Sequence, residues 1–184
     1  MSSLNERLDA IKAKIQSDEY LDGKGLSNEL NITVFCYDPK EEMTIRHFLS
    51  QIKSEKLECN IFEFDLYELF LDILKEKRIL DRIEQLEEKR GKAFIRKQLA
   101  NGCDAKVFAQ KIASIGYQRG DVVILSGVGK IFPFMRVHAL LEALQPLLTS
   151  VPMLVFYPGE YTGDQLRLFN ILKPNNYYRP FKAD

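Results

Sequence analysis

The sequence predicts an α/β protein built on a mostly parallel, open sheet of roughly four or five strands flanked by helices. Three observations lead there. Compact apolar runs rich in β-formers occur at 31–37 (NITVFCY), 121–126 (DVVILS) and 151–157 (VPMLVFY), and they read as strands buried on both faces. Segments with helical apolar spacing stand between these runs, which is the βαβ pattern of a parallel sheet. A long, densely charged helical stretch interrupts that pattern, and it is read as an insertion at about 66–116 of a single domain spanning 1–184.

In chain order, Leu4, Leu8, Ile11 and Ile15 step by three and four residues, the stripe of a short amphipathic helix ended by Gly23 and Gly25. After the first strand, Asp38 is a helix cap, Pro39 suits the first helical position and Glu41 completes a capping box. The helix that follows carries Met43, Ile45, Phe48, Leu49 and Ile52. A second strand at 59–64 (CNIFEF) closes a strand–helix–strand unit, expected as a parallel pair. Leu66, Leu69, Phe70, Ile73 and Leu74 open the helical centre, Gly91 is expected to break or bend it, and a further helix spans about 105–115. Between Lys75 and Lys97 charges of both signs are interspersed, which describes either a solvated helical face or a docking arm. The third strand leads to a helix over 132–147, with Pro133 pre-setting φ near its first turn. The fourth strand turns at Pro158 and Gly159 into a helix opened by a Thr162/Gln165 capping box and carrying Leu166, Phe169 and Leu172. A short fifth strand is expected at 176–181.

Composition narrows the function classes. The chain has 184 residues, and its 26 basic side chains balance 26 acidic ones, so no bulk field draws it to nucleic acid or an anionic membrane. No apolar stretch approaches the ~20 residues of a membrane span, and the opening MSSLNERLDAIKAKIQ lacks a signal-peptide core. Cys36, Cys59 and Cys103 lack CxxC spacing and suit a reducing compartment, so a cytoplasmic location is expected.

In an open parallel sheet, ligands and partners meet the loops at the carboxyl ends of the strands. Here those are Tyr37-Asp38-Pro39, Asp65-Leu66, the stretch Ser126, Gly127, Val128, Gly129, Lys130, and the stretch Tyr157, Pro158, Gly159, Glu160, Tyr161. Gly127, Gly129 and Lys130 invite a phosphate-cradle reading. A P-loop requires G-x-x-x-x-G-K-[ST], yet Ile124 stands at its first glycine and Ile131 at its hydroxyl. G-x-G-x-x-G fails because Phe132 takes the third glycine position. Two readings of the turn stay open: an anion held on backbone amides, or a tight strand-to-helix connection that needs glycine. His47 and His138 are the only histidines, and His138, near Arg136, is read as structural. Asp38, Asp65 and Glu160 are the acids that a divalent cation would use, but Asp38 is already explained as a cap. No metal, cofactor or catalytic set is assigned.

Three strings in the carboxyl half, LSGVGKIFPFMRVH at 125–138, FYPGEYTGDQLRLF at 156–169 and NNYYRPF at 175–181, together resemble the B component of BREX (bacteriophage exclusion) defence systems, the BrxB family, formerly labelled a domain of unknown function. The Tyr37-Asp38-Pro39 turn is compatible with it. The resemblance implies a P-loop-like or Rossmann-like sheet without a Walker A motif, in a cytoplasmic part of an antiviral machine whose methyltransferase, ATPase and alkaline-phosphatase-like activities sit on other components. It carries no established catalytic residues. It implies a non-catalytic adaptor that binds other BREX proteins, with the alkaline-phosphatase-like component as the expected contact, and that meets nucleic acid only through the complex. The rim and the helical insertion are the expected partner surfaces, since Tyr and Arg anchor interfaces. The motif residues for that role are Tyr37, Asp38, Ser126, Gly127, Gly129, Lys130, Pro133, Arg136, His138, Tyr157, Pro158, Gly159, Tyr161, Gly163, Tyr177, Tyr178 and Arg179. A nucleotide or anion sensor using the Gly127–Lys130 turn, and a nucleic-acid-binding module, are the alternatives.

Overall fold

The computed structural model describes residues 3–22, 31–102, 104–162, 165–172 and 181–182. Two helices come first, α1 (Leu4–Lys14) and α2 (Asp18–Leu21). Ser3 and Glu6 form a reciprocal capping box on α1, and Ser17 caps α2 through the amide of Tyr20. The first helix therefore ends well before Gly23 and Gly25, which lie outside the described residues. The strands are β1 (Ile32–Tyr37), β2 (Asn60–Asp65), β3 (Asp121–Ser126), β4 (Met153–Thr162), β5 (Gln165–Leu168) and β6 (Phe181–Lys182). Between them lie α3 (Glu42–Ser54), α4 (Leu66–Glu76), α5 (Ile83–Gly102), α6 (Ala105–Ala113), α7 (Val128–Ile131) and α8 (Val137–Leu144).

The parallel strands run in the order β2-β3-β4-β1-β6, and β5 joins β4 antiparallel. Thus β1 and β2 are parallel but not neighbours, because β4 and β3 stand between them. Polarity explains the order. β3 and β4 are buried along the sheet and take central places, whereas β2 carries Asn60 and Glu63 and stands at an edge.

The chain leaves β1 in one direction across the sheet and then returns strand by strand from β2 to β4. Right-handed crossovers consequently put α3 on one face and α4, α6 and α8 on the other. Strand alternation serves both sides. Phe35, Val122, Ile124, Leu154 and Phe156 face the α1–α3 side, where Ile11, Ile45, Leu49 and Ile52 cover them. Val34, Val123, Leu125, Met153 and Val155 face the other, under Phe70, Phe108, Ile112, Leu140 and Leu141. Arg7 ties α1 to the sheet by donating to the Cys36 carbonyl at 2.7 Å with its guanidinium 4.6 Å from the Phe35 ring centroid.

Three expected features differ. Asp38 accepts from the amide of Lys40 at 2.9 Å and begins a short 3-10 turn at Pro39, so it caps one amide earlier than a capping box requires. The helix expected over 132–147 is shorter, α8 at Val137–Leu144, and a separate short helix, α7, precedes it at Val128–Ile131. Gly127 closes the first turn as α7, and the chain then bends through exposed Pro133 to reach α8. The helix expected after Pro158 and Gly159 is instead a hairpin, in which Thr162 and Gln165 are cross-strand partners and no capping box exists. Gln165, Leu166, Arg167 and Leu168 alternate with period two, and Leu168 is buried in the larger core. The fifth-strand expectation falls largely outside the described residues, and its last residue, Phe181, opens β6 beside β1.

The helical stretch from α4 to α6 is not uniform. α4 and α6 are core helices, contributing Phe70, Ile73, Leu74, Phe108 and Ile112. α5 is an arm. It bends at Gly91 (φ 79°, ψ 165°), and Ile95, its one buried residue among the described side chains, belongs to neither core.

Candidate functional site

The rim at the carboxyl ends of the strands is assembled around Asp65, the last residue of β2. One oxygen of its carboxylate accepts from the amides of Tyr67 at 3.0 Å and Glu68 at 3.3 Å, capping α4. The other oxygen holds the Lys130 ammonium in an ion pair. Gly127 lies directly against this carboxylate. Its φ is 70°, in the left-handed region, and a Cβ there would fall 2.5 Å from Asp65 Oδ1. The Gly127 carbonyl accepts from the amides of Lys130 at 3.0 Å and Ile131 at 3.1 Å, so the turn closes immediately into α7.

The β4–β5 hairpin lies over α7. A Cβ at Gly129 would sit 2.8 Å from Phe169 Cε1 and 3.2 Å from Pro158 Cγ. At the base of the hairpin Gly159 pairs with Leu168, and a Cβ there would be 2.2 Å from the Arg167 carbonyl oxygen. The Phe169 amide donates to the Pro158 carbonyl at 2.8 Å, and Phe169 has φ 57°, an uncommon conformation for an aromatic residue. Its ring meets Phe132 edge-on with centroids 6.2 Å apart, and the Arg136 guanidinium lies 5.1 Å from the Phe132 centroid. Phe134 stacks on Phe70 of α4 with centroids 5.3 Å apart.

On the α3 side the rim forms a small cleft of about 100 Å³, lined by Tyr37, Glu42, Lys53, Glu63, Ser126 and neighbours. It sits where the connections leaving β1 and β3 go to opposite faces, the switch point at which open sheets bind ligands. Its polar groups are already committed to each other. The Tyr37 hydroxyl donates to Glu42 at 2.5 Å, and Arg46 Nε donates to the other Glu42 oxygen at 3.1 Å. The Ser126 hydroxyl donates to Glu63 at 2.7 Å, while Lys53 pairs with the second Glu63 oxygen at 2.5 Å. Burial, and then the hydrogen bond to Glu42, push the Tyr37 phenol well above its ordinary range. Each carboxylate here thus faces its own cation.

The sequence-predicted residues divide by exposure. Tyr37, Ser126, Gly127, Tyr157, Pro158 and Gly159 are buried. Gly129, Lys130, Arg136, His138 and Tyr161 are partly exposed, and Asp38 and Pro133 are exposed. Burial lowers the His138 pKa from its ordinary value, and burial raises that of Tyr157. Gly163, Tyr177, Tyr178 and Arg179 lie outside the described residues. The acids considered for a cation are separately engaged: Asp38 caps a turn, Asp65 holds Lys130, and Glu160 pairs with Arg167 at 3.2 Å. Among the described residues no group of three or more His, Cys, Asp or Glu side chains is arranged to hold a metal ion. No helix among them is long and apolar enough to cross a membrane.

Sequence reasoning missed Glu42, Arg46, Lys53, Glu63 and Phe169. A readable signal existed for Glu63, a lone carboxylate inside the apolar run CNIFEF. Phe169 was hidden by the helical reading of its segment.

Comparison with known proteins gives a consistent result. A family model described as "BREX protein BrxB" matches residues 62–183, from within β2 through the arm, the turn and the hairpin to β6. A "BREX protein BrxB" of Bacillus cereus (strain H3081.97) is 40% identical, covering 99% of this chain and 98% of its own length. One of Escherichia coli O9:H4 (strain HS) is 33% identical over 97% of this chain and 90% of its own. No solved structure matches.

Proposed function

The chain belongs to the BrxB family, and from that premise we propose that it is a non-catalytic adaptor subunit of a BREX anti-phage system. It binds other BREX proteins through the carboxyl rim, with the helical segment as a second surface, and the alkaline-phosphatase-like component is the expected contact. The observation that carries this reading is the closure of the rim. Its charged cleft groups are paired internally, and its glycine turn is packed beneath a hairpin. What the rim leaves accessible is Arg136 over Phe132, Tyr161, Lys130 and the exposed Pro133, a set suited to a protein surface.

The anion-sensor alternative loses its main support. Lys130 is neutralised by Asp65, and Gly129 lies under Phe169 and Pro158. Nucleic acid reaches the protein only through the assembled complex in this reading.

The test is co-purification of the tagged chain when the whole BREX set is co-expressed. The alkaline-phosphatase-like component is expected to be retained, and Arg136→Glu combined with Tyr161→Ala is expected to release it. A chain that stays alone with every BREX protein present overturns the adaptor reading.

A further inference from the structure

The arm carries a charge pattern that its own fold does not use. Along α5, Glu84, Glu87 and Glu88 form an acidic run, and Lys89, Arg90, Lys92, Arg96 and Lys97 form a basic one. None of these side chains has an ion-pair partner among the described residues. Beside them lies a groove of about 240 Å³, to which Ile83 and Leu86 contribute from before the Gly91 bend and Phe94 and Leu99 from after it. The Arg90 guanidinium stands 4.8 Å from the Phe94 ring centroid at the same place. These apolar residues are half-buried, and so remain partly open to water.

We propose that this groove is filled by a second copy of the chain, the two α5 arms pairing about a two-fold axis that passes near Gly91. An occupant must bring an apolar stripe to Leu86 and Phe94. It must also set a basic run against Glu84–Glu88 and an acidic run against Lys89–Lys97. An antiparallel second α5 supplies all three, since its order of charge is reversed relative to the first. A two-fold axis requires such self-complementarity, because residue i of one copy meets residue j of the other and the converse. Like charges would face each other in a parallel pair, which fixes the antiparallel sense. The groove is small, so the charges contribute register and salt sensitivity while the apolar stripe supplies the burial.

This inference goes beyond the adaptor reading and does not rest on it. It gives the α5 groove to self-association in place of the second partner surface named above, and leaves the rim to other proteins. The test is sedimentation velocity on the full chain across the micromolar range. A dimer is expected, with its Kd weakened by about tenfold or more between low salt and about 0.5 M salt. Leu86→Asp is expected to make it monomeric while the far-ultraviolet circular dichroism stays unchanged. Reversal of Glu84, Glu87 and Glu88 to Lys should also give monomers, as should reversal of Lys92, Arg96 and Lys97 to Glu. Mixing the two reversed forms should restore a one-to-one pair. A chain that is monomeric throughout the range overturns the inference, and so does a dimer indifferent to both Leu86→Asp and the charge reversals. Loss of BREX co-purification from Leu86→Asp in an otherwise monomeric protein would assign the groove to another protein instead. A dimer that co-purifies with nothing removes the adaptor reading and leaves this one standing.

Discussion

The rim and the arm are two ways of using a helix-rich α/β chain, and they differ in what holds their shape. At the rim, backbone meets backbone or side chain at distances that only glycine permits, and the charges are consumed in internal pairs. Along α5, little is buried, and the charges of its middle have no ion-pair partner among the described residues. The rim is therefore shaped by sterics, whereas the arm's charges shape nothing among the described residues and are left for the association proposed above. Substitutions should act on stability in the first region and on association in the second.

Three glycines make the contrast measurable, in descending order of effect. Gly159→Ala puts a methyl 2.2 Å from the Arg167 carbonyl oxygen, an atom of the partner strand that cannot rotate away. A loss of about 3 kcal/mol is expected in urea denaturation, with the hairpin parted from α7. Gly127→Ala combines a left-handed φ of 70° with a contact 2.5 Å from Asp65 Oδ1. The obstructing atom belongs to a side chain, which can shift at the expense of the α4 cap. About 2 kcal/mol is expected by the same measurement. Gly91→Ala meets nothing within 4 Å, so its only penalty is the φ of 79°. The arm can escape that penalty by straightening. A change of about 1 kcal/mol or less is expected, with a gain in helical circular dichroism and an altered dimer. Equal losses at all three positions would erase the distinction between the regions.

Much of the sheet was legible because burial on both faces leaves an unmistakable apolar run. The strand at 121–126 matches β3 residue for residue, and Gly91 interrupts α5 where its lack of a side chain suggested. The larger errors share one physical origin, backbone pairing that the local spacing of apolar residues does not encode. Nothing local in 59–64 reveals that β3 and β4 stand between β2 and β1. Leu166, Phe169 and Leu172 have helical spacing, but the hydrogen-bonding partners of that segment come from Glu160 and its neighbours on β4. Tertiary pairing overrode the local pattern. The candidate site was legible as a place, through strand ends and turns, more than as a set of contacts. Asp65 appeared as a loop acid, whereas its pairing with Lys130 joins residues far apart in sequence. Gly127 and Gly129 read as a tight connection that needs glycine, and the structure supplies the neighbours that make it so, the Asp65 carboxylate and the Phe169 ring.

One consequence follows from the length of β4. Its ten residues run from a central place in the sheet, between β3 and β1, to the outer end of the hairpin, a span of about 33 Å. No loop separates the anchored part from the protruding part. A pull on the hairpin is therefore carried axially into two flanking strands, where backbone hydrogen bonds resist it in shear. The protein meets a tethered load as a spar set in a hull does, stiff along its length and fastened at its root.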